Sequence, residues 1–258
     1  MNLRLRHLAG LMTVVLALLW PGLVLAGLHA TATMSNVVLT ATDLTPGDAG
    51  AAGVEVLGAS TLLTVLVAAG QDQDADSLAL SDLAPGSVDV ALDGASAAMQ
   101  TPGAMGSLSG QAMALGGVPG LSYALGRGSQ NLHLRLQPYS LLTVTGHASL
   151  GARFDGPVPG MLSYQGLGYY SVEFFDGVEQ AYTDGFVRLD WTDPVDSVGL
   201  EENFTLTYAN RSGQERELLM LVGTLAEAQV LSVPEPSMPV LLVVGLLVLA
   251  GLRQRRAK

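Results

Sequence analysis

Three aspartates alternate with other residues in the stretch QDQDADS: Asp72, Asp74 and Asp76. Carboxylates spaced two apart are how calcium loops gather oxygen ligands, but an EF-hand loop also needs Gly at its sixth position and Glu at its twelfth. Those places hold Ser77 and Leu83. The stretch therefore reads as a solvated acidic loop between strands, with a loosely patterned calcium site as the alternative. His133 and His147 are the two histidines of the body. Each lies on the polar side of an alternating segment, and Pro138-Tyr139-Ser140 falls between the segments. If the two strands form a hairpin, matching their apolar faces demands an even register. The histidines then sit opposite each other or one pair off, an arrangement suited to a weak metal or pH-sensitive site. The other reading is two solvated strand residues.

Nucleophilic and hydrolytic chemistry finds little support. GSLSG, the nearest approach to a nucleophile elbow, has Leu108 at its centre. No phosphate-binding loop, dinucleotide fingerprint or His-Glu-x-x-His motif occurs. Glu201 and Glu202 are adjacent and would point to opposite faces of a strand, whereas glycoside hydrolysis needs two facing carboxylates. Asn203-Phe-Thr205 and Asn210-Arg-Ser212 match the glycosylation sequon; strand polarity and a turn account for them as well. No catalytic residue, metal or cofactor is expected.

The elements that would carry these residues are strands. Leu132, Leu134 and Leu136 alternate with His133, Arg135 and Gln137. Leu142, Val144, Gly146, Ala148 and Leu150 do the same, as do Tyr170, Val172 and Phe174, then Phe204, Leu206 and Tyr208. Val88, Val90 and Leu92 face away from Asp89, Ala91 and Asp93. Turn pairs such as Asp93-Gly94, Asp176-Gly177 and Asp184-Gly185 separate such segments. Many short strands with Gly- and Asp-rich turns predict an all-β, antiparallel sandwich or jelly-roll-like body over 31–231. Residues 95–117 are rich in Ala, Gly and Met without a firm period, open to small-residue strands, a short helix or a loop. Residues 215–230 read as a buried last strand rather than a helix.

Charge narrows the partners. The chain of 258 residues has 12 Lys and Arg against 23 Asp and Glu, a net charge of −11, and no cysteine. Arg4, Arg6, Arg253, Arg255, Arg256 and Lys258 lie at the ends. The middle is thus strongly acidic, which argues against nucleic acid as a partner. Lectin-like binding would use exposed aromatics in a groove, for which Tyr164, Tyr169, Tyr170, Tyr182 and Trp191 are the candidates.

Both termini read as addresses. Arg4 and Arg6, the apolar run from Leu8 to Trp20, the break at Pro21-Gly22 and the small residues before Ala26 have the order of a signal peptide over 1–26. Leu28-His29-Ala30 offers a later cleavage point. At the other end Pro234 and Pro236 hold Val233–Ser237 extended. An apolar run, 239–252, follows; it is short for a span of about 30 Å, though snorkelling at Arg253 would help close the gap. Arg253, Arg255 and Arg256 should stay on the cytoplasmic side as a membrane stop.

The order Val233-Pro234-Glu235-Pro236-Ser237, apolar helix, Arg253-Gln-Arg-Arg256 resembles the PEP-CTERM sorting signal of Gram-negative bacteria. The resemblance covers residues 233–258, about a tenth of the chain. It implies recognition by an exosortase, a membrane tether before processing, and export to the cell surface or extracellular matrix of an exopolysaccharide-producing host. The segment SNVVLTATDLTPGDAGAAGVEV is similar to the opening strand of such proteins' sandwiches, and NFTLTYANRSGQERELLML to their closing hairpin. The expected function is structural or adhesive, without catalysis; the alternative is an exopolysaccharide-binding sandwich module.

Overall fold

A computed structural model describes residues 27–47, 50–117, 119–156 and 161–232. The proposed signal peptide with Ala26, and the sorting signal with Val233–Ser237, Arg253, Arg255 and Arg256, lie outside the described residues. Among the described residues no helix is long and apolar enough to cross a membrane.

The body is an all-β sandwich of two six-stranded antiparallel sheets. Sheet A has the order β11-β8-β1-β6-β5-β4, formed by Ser197–Asn210, Ser140–Phe154, Gly27–Asp43, Leu108–Leu115, Ala95–Pro102 and Pro85–Leu92. Sheet B has the order β10-β9-β12-β7-β2-β3, formed by Gln180–Asp190, Met161–Phe175, Arg216–Ser232, Gly120–Leu136, Val54–Ala69 and Asp72–Leu80. The first strand begins at Gly27, four residues ahead of the expected start, and Leu28 and Ala30 are core residues.

The alternating segments bury the predicted faces. Leu132, Leu134 and Leu136 of β7 are fully buried, as are Leu142 and Val144 of β8, and all five belong to one apolar cluster between the sheets. Along β9 three aromatic pairs join the sheets. Tyr164 stacks on Phe154 of β8 at 4.2 Å, Tyr170 on Phe204 of β11 at 5.4 Å, and Phe174 meets Tyr208 of β11 edge-on at 6.2 Å. Such pairs add about 0.5–1.5 kcal/mol each beyond their area. The other half of the core is made of small residues. Residues 95–117 form the hairpin β5–β6 rather than a helix or loop. There Met99 fills the space that side chains would need at Gly110, Gly126 and Gly128, so an unbranched side chain packs a glycine-lined gap.

Two expected hairpins are arches instead. The strands carrying His133 and His147 belong to different sheets, and so do β11 and β12, the expected closing hairpin. In each case the turn crosses the sandwich, because the apolar faces on its two sides meet across the core rather than side by side. Tyr139 takes the left-handed conformation, φ 49°, at the first crossing. Residues 72–76, expected as a loop, are the start of edge strand β3, paired to Val65–Ala69.

Candidate functional site

The outer face of sheet A is concave and polar. Over β4, β5, β6 and β1 it encloses a trough of about 740 Å³. The trough runs on past Thr31 toward Arg153 and Asp155, and past Thr33 toward Ser35. Two rungs of paired residues line it. One sets Thr33 beside Ser109, Ser109 beside Gln100, and Gln100 beside Ser87. The next sets Thr31 beside Gln111, Gln111 beside Ala98, and Ala98 beside Asp89. The floor continues past Thr31 over Gly151 and Gly199, which add no side-chain bulk.

These side chains face outward because Ala30, Ala32, Met34, Ala97, Met99 and Ala112 take the inward places of the same strands. Gln100, Gln111 and Thr31 are exposed, and Thr33 Oγ1 lies 3.3 Å from Ser109 Oγ. Hydroxyls and primary amides donate and accept, as do the hydroxyls of a sugar chain. At one end Arg153 Nε donates to Asp155 Oδ1 at 2.7 Å, and His29 Nε2 lies 3.4 Å from Asp155 Oδ2. This solvated cluster carries little energy. With Asp89 and Glu201 on the same face, the trough offers no array of cations to a polyanion. The arrangement suits a neutral polyol.

The sequence candidates fall elsewhere. Tyr164 and Tyr170 are core residues. Burial pushes the hydroxyls of both up, and for Tyr170 its hydrogen bond to Glu202 adds to the rise. Tyr182 and Trp191 are exposed, at 67% and 59%, and Tyr169 is half-buried. Tyr169 and Tyr182 lie on the outer face of sheet B, away from the trough, joined there by Phe186, which pairs with Tyr169. The groove and the aromatics are thus on opposite sheets.

His133 faces out from sheet B beside Leu219, while His147 faces out from sheet A with Nδ1 3.2 Å from Asn203 Oδ1. The crossing at Tyr139 separates them, so they form no joint site. Asp74 and Asp76 accept the backbone N–H of Ala75 and Ser77 at 2.8 and 2.7 Å, blunting the edge of β3. Among the described residues no group of three or more His, Asp or Glu could hold a metal ion. Glu201 points outward and Glu202 inward to the Tyr170 hydroxyl. Asn210 is fully buried, its Nδ2 donating to Gln137 O and Gln214 O at 3.0 and 2.8 Å, and its Oδ1 accepting from Ser212. That sequon is a turn device.

The trough residues left one mark in the sequence. HATATMS alternates polar His29, Thr31, Thr33 and Ser35 with apolar Ala30, Ala32 and Met34, but it sits at the junction with the segment expected to be a signal peptide.

No protein-family model matches this chain, and no curated protein matches it. One solved structure comes from work on the promiscuous specificity of carbohydrate-binding modules of the β-sandwich superfamily. It is 12% identical over 76% of this chain and 95% of that one, with a TM-score of 0.12. A likeness at that level carries no argument here.

Proposed function

We propose that this chain is an exported cell-surface or extracellular-matrix protein whose sandwich binds a neutral polysaccharide in the sheet A trough, with an adhesive role and no catalytic step. The trough carries the reading. It is concave, it runs on toward Arg153 and Asp155 and toward Ser35, and it is lined by groups that donate and accept hydrogen bonds. An extended sugar chain can lie along such a surface without its ends being enclosed, as a matrix component requires. Affinity electrophoresis of the purified protein through gels cast with host exopolysaccharide tests it. Retarded migration, relieved by free polysaccharide, is expected; unchanged migration overturns the binding role.

The C-terminal order of Pro234-Glu235-Pro236, apolar run and Arg253–Arg256 supports export and exosortase processing as the route to that location. Under this reading the tail tethers the precursor in the inner membrane until it is cut. Fractionation of tagged protein from cells with and without the exosortase decides this. The same mass and location in both would sink the sorting role.

A further inference from the structure

One row of the trough is asymmetric across its width. From β6 through β5 to β4 it sets Gln111 beside Ala98 and Ala98 beside Asp89. Ala98 carries the smallest side chain of the row, and Ser96 and Gln100 lie on either side of it along β5. The row therefore has an amide on one wall, a carboxylate on the other and a hollow between. Gln111 and Asp89 stand two strand spacings apart, about 9.6 Å, which leaves room over Ala98 for one sugar ring.

These polar groups are unengaged. Thr33 and Ser109 lie within reach of each other. The side chains of Ser96, Gln100, Gln111 and Asp89 make no hydrogen bond or ion pair among the described residues. Asp89 is also the only carboxylate among the described residues that line the main trough. Asp155, farther along, is already held by Arg153 and His29.

An ionised carboxylate only accepts, and its two oxygens lie side by side. Two hydroxyls on adjacent carbons of a neutral polyol satisfy both, each donating one O–H. Such charge-assisted bonds are shorter and stronger than those between neutral groups. Gln100 and Gln111 each offer one donor group and one acceptor group, so they hold single hydroxyls without requiring that two be neighbours. Asp89 also repels a carboxylate or phosphate carried by a wrong polymer, which is discrimination by an unfavourable contact. A metal ion fits less well, because no group of three ligating side chains surrounds it among the described residues.

We infer that Asp89 determines the specificity of the trough by accepting from two adjacent hydroxyls of a sugar ring lying over Ala98. The substrate class is then a neutral polysaccharide whose rings keep a free vicinal diol within the chain. Hexopyranose chains linked through O4 or O6 keep such a pair, and chains linked through O3 do not. The inference rests on the polysaccharide reading of the trough.

Affinity electrophoresis of the purified protein tests it, in gels cast with host exopolysaccharide, untreated or oxidised with periodate and then reduced with borohydride. Periodate cleaves the bond between carbons that carry adjacent hydroxyls, so it destroys the diol and spares isolated hydroxyls. Each protein is referred to its own mobility in a plain gel, which removes the effect of altered charge. The parent should bind the oxidised polymer about tenfold or more weakly than the untreated one. D89N keeps the size of the side chain and loses one acceptor, so it should bind the untreated polymer about tenfold more weakly than the parent. D184N makes the same charge change on the outer face of sheet B and should bind as the parent does. Asp89 is exposed, so the melting temperature of D89N should match the parent's. Equal retardation of the parent in the two gels overturns the inference. So does a D89N variant that binds as the parent does, or retention of the parent by a polymer that consumes no periodate; in each case the trough still binds polysaccharide. A parent retarded in no gel overturns the binding role and this inference together.

Discussion

Tyr208 of β11 donates its hydroxyl to Asp176 Oδ2 at 2.5 Å, from sheet A to the turn that joins β9 and β10 in sheet B. Arg216, at the start of β12, donates to the same oxygen at 2.6 Å, and the N–H groups of Val178 and Glu179 donate to Oδ1. The Asp176 side chain is 3% exposed. One buried carboxylate therefore ties two sheets and three strand ends together.

Its ionisation sets an acid limit on stability. The Tyr208 hydroxyl first, then the Glu179 N–H, hold the Asp176 carboxyl well below its ordinary 3.8. A depressed native pKa means the stabilisation is complete above the unfolded value and is lost as pH falls through the native one. Urea unfolding should show stability dropping below about pH 4. Asp176→Asn should cost about 2–3 kcal/mol at neutral pH and show less of that drop, so that the two proteins converge in acid. Parallel curves for the two would refute the assignment.

Gly146 and Phe204 form a second designed contact. They are paired across β8 and β11, and a Cβ at Gly146 would fall 2.8 Å from Phe204 Cε1. The ring lies where that side chain would be, and stacks on Tyr170 from there. Gly146→Ala should destabilise by about 1–3 kcal/mol through overpacking. With Phe204→Leu also present, the double variant should lose less than the sum of the singles. Additive losses in thermal unfolding would show that the ring can simply move aside.

Thr224 breaks a local rule in the opposite direction. It sits on the inward face of β12, 2% exposed, and its hydroxyl has no hydrogen-bond partner among the described residues. Thr224→Val keeps the shape and β-branching and removes a stranded polar group. A gain of about 1 kcal/mol is expected, read as a higher urea midpoint. A loss would mean that the hydroxyl is satisfied by buried water.

The strands were legible because burial imposes a period of two on them, as Leu132-Leu134-Leu136 and Phe204-Leu206-Tyr208 show. The path between sheets was not. Pro138-Tyr139 has the residues of a turn whether the chain doubles back beside itself or crosses the core, and what decides is which apolar face meets Leu136. Small side chains hid the hairpin β5–β6, since Ala97 and Ala112 are core residues only because the sheets close on Met99. The trough was hidden for a third reason: Thr31, Gln100 and Gln111 come from three strands, and each alone is an ordinary outward-facing polar residue. The aromatics misled because Tyr164 and Tyr170 look in sequence like Tyr169 and Tyr182, and parity along β9 and β10 alone separates them.

The polysaccharide reading makes a prediction about shape as well as chemistry. Ala98 is the small residue at the middle of the trough, between Gln111 and Asp89 on neighbouring strands. A large ring there blocks a chain lying across the rungs but leaves the core untouched, because Ala97 and Met99 are the inward residues. Ala98→Trp should abolish retardation on exopolysaccharide gels with little change in melting temperature. Thr145→Trp, on the same outer face but beyond the trough, should bind as the parent does. Gln100→Ala and Gln111→Ala each remove one donor and one acceptor, which at about 0.5–1.5 kcal/mol apiece should weaken binding severalfold without eliminating it. Equal retardation of Ala98→Trp and the parent would place the binding surface elsewhere. An exposed aromatic such as Tyr182, substituted by Ala, would then be the next position to measure.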